Sequence, residues 1–386
     1  PSLWNTQASP LVKWFLARPT REKGFVSLLT LSSHFDLLLQ RIEPAEARLK
    51  IAQEVPDQVR TYLKQIDTLR TCDPHTRLAG SYARHVAIND IKDVDLLVFI
   101  HDTYREQSPS AVLNILCQVL KNLPQTLGDT GTVKIRNQRR SVNVHFDTQD
   151  FDLDVVPVII VTKINEPLRI PARDLQKWKE TNSIGYQQWL SDLNQAHGGK
   201  VVPLIKLMKQ WRDCHFIYKR PKSYWLECMV VRHISKGWVE TEGMSFAALF
   251  TNLLTSIYAR YENHLIQADT VPQIPDPMLG NNVAWNWERG HFETFMRRIE
   301  ESRDWAVDAL NKTDDQVEAA IDLWQKVFKD TFPTVTEVEA ALRAAAKAGS
   351  LYVSSQGGVT LQPALHTSSW QSPPHRFFGE ANDDQA

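Results

Sequence analysis

Cysteine is scarce in this sequence and scattered where it occurs. Cys72, Cys117, Cys214 and Cys228 are the four thiols in 386 residues. None belongs to a C-x-x-C pair or sits near histidine at zinc-ligand spacing, which excludes zinc ribbons and thioredoxin-like redox pairs. Isolated thiols suit a reducing compartment, so a cytoplasmic protein is expected. A basic N-terminal segment followed by an apolar core is missing, and no signal peptide is read. No apolar run is long enough to span a bilayer, so no membrane partner is expected. Basic charge is not in excess either: 44 Lys and Arg stand against 45 Asp and Glu. Long nucleic acid is therefore not expected as a partner, although a local cluster of cations would suffice for a small anion. Internal repeats are absent. An ordinary apolar fraction over this length predicts a soluble globular chain with room for two domains.

What is present centres on residues 78–100, L-A-G-S-Y-A-R-H-V-A-I-N-D-I-K-D-V-D-L-L-V-F-I. Alternation in a strand puts Asp93 and Asp95 on one face, and the run Leu97-Val98-Phe99-Ile100 anchors that strand in a core. Two carboxylates spaced about 6–7 Å along a strand repel unless a cation stands between them. Mg²⁺, which prefers hard oxygen ligands, fits that role. Alone, D-V-D would equally suit an edge strand with two solvated acids. Gly80-Ser81 decides between them. A Gly-Ser turn leading into a short helix near 82–87 offers backbone N–H groups and a hydroxyl to a phosphate. A phosphate cradle followed by a metal-binding pair is equipment for phosphoryl transfer.

The order G-S, spacer, D-h-D resembles the signature of the DNA polymerase β-like nucleotidyltransferases. That resemblance implies a third carboxylate on a later strand. Phe151-Asp152-Leu153-Asp154-Val155-Val156-Pro157 supplies candidates. Asp154, followed by two apolar residues and Pro, is chosen, and Asp152 on the same strand face is the alternative.

Along the chain, residues 11–65 read as helical, with Phe35, Leu38, Leu39 and Ile42 at helical spacing and Pro44 and Pro56 as breaks. Residues 108–121 form an amphipathic helix capped by Ser108-Pro109. Residues 132–146 are two strands around a polar tip at 137–140, and 151–161 carry the third acid. From 165 to 182 the pattern weakens around Pro167 and Pro171, which suggests a crossing between lobes. Helices then dominate, at 183–195, 200–214, 223–234, 245–261, 290–311 and 313–328. From Gly349 the chain is polar and aperiodic and reads as a mobile tail. The expected fold class is α+β and bilobed. Residues 1–164 would be a mixed-sheet nucleotidyltransferase core with an N-terminal spine helix, 165–348 a helical lobe completing the nucleotide site, and 349–386 the tail.

The helical half adds three features. Lys206 and Lys209, in Lys206-Leu207-Met208-Lys209-Gln210-Trp211, share a helix face. In Lys222-Ser223-Tyr224-Trp225-Leu226-Glu227, Ser223 is a natural N-cap. Tyr224 offers a flat ring to a base, worth roughly 1–3 kcal/mol. Asn281-Asn282-Val283 follows, then Trp324, Phe328 and Phe332-Pro333. Singly these are a solvated face, a capped helix and core aromatics. Together they resemble the bacterial CD-NTases, relatives of cyclic GMP-AMP synthase and oligoadenylate synthase, over residues 24–333.

The resemblance implies site roles. Gly80 and Ser81 would hold a donor triphosphate, and Asp93, Asp95 and Asp154 would bind a pair of Mg²⁺ ions. Lys209 and Ser223 would touch the donor phosphates, Tyr224 would stack on the donor base, and Lys206 would join them in the nucleotide-binding set. It also implies template-independent transfer. A ribose hydroxyl attacks the α-phosphorus of a donor nucleoside triphosphate, ATP first among them, and pyrophosphate leaves. Ring closure would give a cyclic di- or trinucleotide second messenger used in antiphage defence. Accessory regulatory proteins, or proteins conjugating the C-terminal tail, are the implied partners. The animal enzyme's zinc insertion is not expected, because residues 194–200 contain no cysteine. Arg136, Arg139 and Arg140 read as a solvated hairpin tip, and His85 as structural. The alternatives are a linear tailing or a protein- or antibiotic-modifying nucleotidyltransferase, and a non-catalytic nucleotide-binding module.

Overall fold

The computed structural model describes residues 29–123, 133–267, 270–354, 359–361 and 369–371. The first part of the expected helical stretch, 11–28, and the end of the tail, 372–386, lie outside the described residues.

Five strands form a mixed sheet: β1 (Thr71–Ala79), β2 (Asp93–Ile100), β3 (Val133–Asn137), β4 (Val142–Phe146) and β5 (Phe151–Val158). Their order is β1-β2-β5-β4-β3. Only β2 and β5 pair in parallel, and the other neighbours are antiparallel. Alternation gives β2 two working faces. Val94, Leu96, Val98 and Ile100 turn into a core shared with Val112 and Leu116 of the Ser108-capped helix Pro109–Lys121. Leu97 and Phe99 turn the other way, against Leu168, Ile170 and Ile184. Asp93 and Asp95 belong to that second face, at its open end.

The N-terminal spine is two helices rather than one. Helix α1 (Ser32–Ile42) buries Phe35, Leu38, Leu39 and Ile42 in the helical lobe. Helix α2 (Glu46–Lys64) buries Ala52, Val55, Val59 and Leu63 against the sheet. The break falls at Glu43-Pro44, where Glu43 is extended, as a residue before proline prefers. Pro56, expected to break or restart a helix, sits inside α2 without ending it. Its neighbours Ala52, Val55 and Val59 are fully packed, and that burial outweighs the lost backbone hydrogen bond.

After the short helix α3 (Gly80–Ala83) and helix α4 (Pro109–Lys121), the chain departs from expectation at residues 168–181. This stretch is a hairpin, β6 (Leu168–Ala172) paired with β7 (Lys177–Thr181), and not an irregular crossing. Pro171 obscured the alternation of Leu168, Ile170 and Ala172, which are buried. Proline is tolerated because this ladder has only two strands. Helices α5 (Ser183–Ala196), α6 (Val201–His215), α7 (Ser223–Ser235), α8 (Phe246–Tyr261), α9 (Asn263–Ile266), α10 (Arg289–Leu310), α11 (Val317–Phe328) and α12 (Val335–Ala348) follow. Their core joins Trp211, Phe250, Phe295, Trp324, Phe328 and Phe332 to Phe35 of α1. Among the described residues no helix is long and apolar enough to cross a membrane.

Part of the tail expected to be mobile is a small three-stranded sheet. Strand β8 (Tyr352–Ser354) pairs with β9 (Val359–Thr360) and β10 (Ser369–Gln371). Leu361 is buried, and its backbone N–H donates to Asp36 of α1. The polar composition hid this sheet because its strands are two or three residues long.

Helix α12 opens with a capping box between Thr334 and Glu337, and Glu337 also accepts from Arg41 of α1 at 2.6 Å. Thr334→Ala should lower stability by about 1 kcal/mol, read as a shift in the denaturant midpoint, with catalysis unchanged.

Candidate active site

The pairing register assembles the acids. Asp93 lies opposite Asp152 and Asp95 opposite Asp154 across the β2/β5 ladder. Adjacent strands stand about 4.8 Å apart, so Asp95 and Asp154 are direct neighbours, with Asp93 one pleat along. Strand β4 adds two polar side chains to the same face, Asn143 opposite Asp154 and His145 opposite Asp152. The Asn143 amide donates to Asp154 Oδ1 at 3.0 Å, and His145 Nδ1 lies 3.1 Å from Asp152 Oδ1. Asp152 is thus engaged by histidine, while Asp154 faces Asp95.

Gly80 closes the site from above. It begins α3 with φ of 72°, a left-handed conformation that glycine adopts freely. A Cβ here would stand 2.0 Å from Asp95 Oδ2. The carboxylate therefore lies directly on the Gly80 backbone, which explains glycine at this position. Ser81 follows as the second residue of the same turn.

Electrostatics match the crowding. Burial pushes the Asp95 carboxyl up to about 6, with the charges of Asp154 and Asp93 adding to it and Arg84 opposing. Asp154 is also raised, mainly by burial, against the lowering effect of its Asn143 hydrogen bond. Among the described residues no ion pair neutralises Asp93, Asp95 or Asp154. A group of hard oxygen donors without a cation suits Mg²⁺ by donor chemistry and by charge. As they stand, no three Asp, Glu, His or Cys side chains among the described residues converge closely enough to enclose an ion.

The helical lobe presents its expected residues differently. Lys206 and Lys209 are buried, not solvated. The Lys206 ammonium pairs with Glu43 at the end of α1. Lys209 Nζ donates to the Val86 carbonyl at 2.7 Å and lies 3.9 Å from Glu227. Burial pulls its pKa down to about 8. Ser223 does not cap α7: the cap position falls on Lys222, without a side-chain bond. Its hydroxyl instead accepts from Arg212 Nη1 at 2.7 Å, and this longer-range partner displaces the local one. Tyr224 donates its hydroxyl to Asp276 Oδ2 at 2.9 Å and meets Tyr186 edge-on. Asn282 Oδ1 accepts from the backbone of Ile274 and Ala284, so the Asn281-Asn282 motif builds the loop that carries Asp276. Arg139 at the hairpin tip is ion-paired with Asp174.

Asn143, His145 and Arg84 escaped the sequence reading, as did the part played by Glu227 at the end of the Lys222–Glu227 segment. Asn143 and His145 alternate with Val142, Val144 and Phe146, a pattern that marks them as one polar strand face. Arg84 donates through Nε (2.7 Å) and Nη2 (3.1 Å) to the two oxygens of Glu227. Nothing local marks that pair. The two residues lie on opposite sides of the lobe boundary.

Residues 29–194 match the model of the Second Messenger Oligonucleotide or Dinucleotide Synthetase domain, a span that includes all three acids and the Gly-Ser turn. A cyclic AMP-AMP-AMP synthase of Acinetobacter sp. (strain ATCC 27244 / 9458) is 31% identical over 320 residues, covering 80% of this chain and 88% of that protein. Among solved structures, the E. coli MS115-1 CdnC:HORMA-deltaN complex superposes with a TM-score of 0.60 at 17% identity, over 79% of this chain and 99% of that one. The Bradyrhizobium diazoefficiens CD-NTase CdnG in complex with GTP gives a TM-score of 0.60 at 16% identity, over 80% and 96%. Sheet order, helical lobe and relatives agree with the motifs, and the chain belongs to the bacterial CD-NTases, nucleotidyltransferases that make cyclic oligonucleotides.

Proposed function

We propose that this enzyme joins nucleoside triphosphates, with ATP as the main substrate, into a cyclic di- or trinucleotide second messenger that serves antiphage defence. The observation that carries the reading is the register that sets Asp95 beside Asp154, with the Asp95 carboxylate seated on the Gly80 turn. The adenine-only product named for the Acinetobacter relative supports ATP. The HORMA complex of CdnC supports an accessory regulatory protein as partner.

Asp93, Asp95 and Asp154 would hold a pair of Mg²⁺ ions, which when bound lower the pKa of the attacking ribose hydroxyl and neutralise the triphosphate. The remaining work falls to the chain. Gly80 lets the backbone approach the donor phosphates where any side chain would collide with Asp95. Ser81 adds its hydroxyl and N–H to that approach. The Asn143 amide fixes Asp154 Oδ1 and so aims the other oxygen. That oxygen receives the proton of the attacking ribose hydroxyl. Tyr224 offers its ring to the donor base, held by Asp276 and Tyr186.

Pure protein incubated with Mg²⁺ and each labelled nucleoside triphosphate, singly and mixed, then treated with phosphatase and weighed by mass spectrometry, tests this. ATP should yield a phosphatase-resistant ring, and chelation should abolish it. A phosphatase-sensitive linear ladder or label transferred to protein would move the enzyme to the tailing or modifying class.

A further inference from the structure

One charged group at the site is left without a task. Arg84 follows α3 directly, four residues beyond the Gly80 turn, and its side chain is only 9% exposed. Its guanidinium is held on three sides. Glu227 of α7, 1% exposed, takes Nε and Nη2 in the two-pronged geometry that fixes an arginine plane. The rings of Tyr186 and Tyr224 lie 5.3 Å and 5.7 Å from its centre, a cation–π enclosure. Nη1 makes no hydrogen bond among the described residues. The same Tyr224 is the proposed base platform, and Asp95 is close enough to feel the Arg84 charge. Arg84 therefore follows the Gly80 turn directly, lies against the Tyr224 ring and acts through its charge on Asp95, which links the proposed phosphate cradle to the proposed base platform.

The charge balance points the same way. Arg84, Lys209 and Glu227 form one buried cluster with two cations and one anion. A buried surplus cation calls for an anion. Lys209, the cation expected from sequence to meet phosphate, has its ammonium turned to the Val86 carbonyl and Glu227. Arg84 keeps its Nη1 edge without a hydrogen bond among the described residues, while Nε and Nη2 are held by Glu227.

We infer that Arg84 is a direct ligand of the donor triphosphate through Nη1, and that Glu227, backed by Lys209, is the positioning residue that aims it from the opposite lobe. The inference deepens the nucleotide-transfer reading above and rests on it. Because Glu227 belongs to the helical lobe and Arg84 to the sheet lobe, phosphate recognition depends on both lobes being in register. The ligand class is a nucleoside polyphosphate, recognised by phosphate count and not by base.

The test is binding without turnover. Asp93→Asn blocks synthesis, and in that background the affinities for ATP and for adenosine are measured by calorimetry in Mg²⁺. Arg84→Lys, Arg84→Gln and Glu227→Gln are then added singly. Losing a hydrogen bond to a charged phosphate should weaken ATP binding about tenfold or more and leave adenosine binding within twofold. In the otherwise wild-type enzyme Arg84→Lys should raise the KM for ATP more than it lowers kcat. ATP and adenosine weakening together would reduce Arg84 to a structural ion pair and overturn the inference. Unchanged ATP affinity in folded Arg84→Gln would overturn it as well. Should the unmodified protein make no ring yet these affinities split as described, the proposed reaction fails and the phosphate assignment stands.

Discussion

Asp95→Asn should abolish synthesis and raise the melting temperature of the metal-free protein. Activity should fall at least a thousandfold, because the amide cannot hold a cation as a carboxylate does and Asp95 sits between Asp93 and Asp154 on the site face. Stability should move the opposite way. The Asp95 carboxyl is raised from 3.8 to about 6, first by burial, then by its two carboxylate neighbours. A carboxyl raised in the folded state binds its proton more tightly there than in the unfolded chain. Its ionisation then destabilises the fold as pH rises from about 4 to about 6, with the full loss retained above. A rise of that size corresponds to roughly 3 kcal/mol as an upper bound. The neutral isostere escapes that loss and still fits against Gly80. At pH 7.5 in chelator the variant should therefore melt several degrees higher, and the gain should vanish below about pH 4. Mg²⁺ should stabilise the wild type and not the variant. Thermal unfolding across pH, with and without Mg²⁺, checks each point. A variant that melts lower at pH 7.5, or that keeps activity within tenfold, would show that Asp95 is not the strained centre of the site.

The acids were legible because their pattern is local. Asp93-Val94-Asp95 and Asp152-Leu153-Asp154 each declare a strand with polar and apolar faces, and Ser108-Pro109 declares the start of α4. Pairing is not local. Nothing in either segment states that β5 inserts between β2 and β4, or that Asp95 meets Asp154 and not Asp152; only the pairing register shows it. The lysines show the opposite failure. Three-residue spacing correctly predicts one helix, but whether that face meets solvent depends on Glu43, Val86 and Glu227, contributed by other elements. Arg84 and Glu227 are 143 residues apart, and a buried ion pair leaves no periodic trace. The β6/β7 hairpin was hidden by Pro171, and the small tail sheet by the shortness of its strands.

Gly80→Ala carries the second large effect, and it separates backbone strain from site chemistry. The new methyl would lie 2.0 Å from Asp95 Oδ2 and 3.0 Å from its Cγ, well inside van der Waals contact. The left-handed backbone adds strain of about 1 kcal/mol for any side chain. Asp95 is short, so relief comes either from swinging its carboxylate off the shared face or from lifting the α3 turn. The first would remove a proposed cation ligand and the second would move the proposed phosphate cradle, so either should lower synthesis a hundredfold or more. Gly237 provides the control. Its φ is also positive, at 64°, but a methyl at that position would meet nothing within 4 Å. Gly237→Ala should show the strain alone, about 1 kcal/mol, with synthesis intact. The steric part of Gly80→Ala should disappear when Asp95 is cut to Ala. The double variant should then be more stable than the sum of the single effects predicts, by about 1 kcal/mol or more. Additive stabilities would mean that Gly80 is required by its φ alone, and that the contact with Asp95 is incidental.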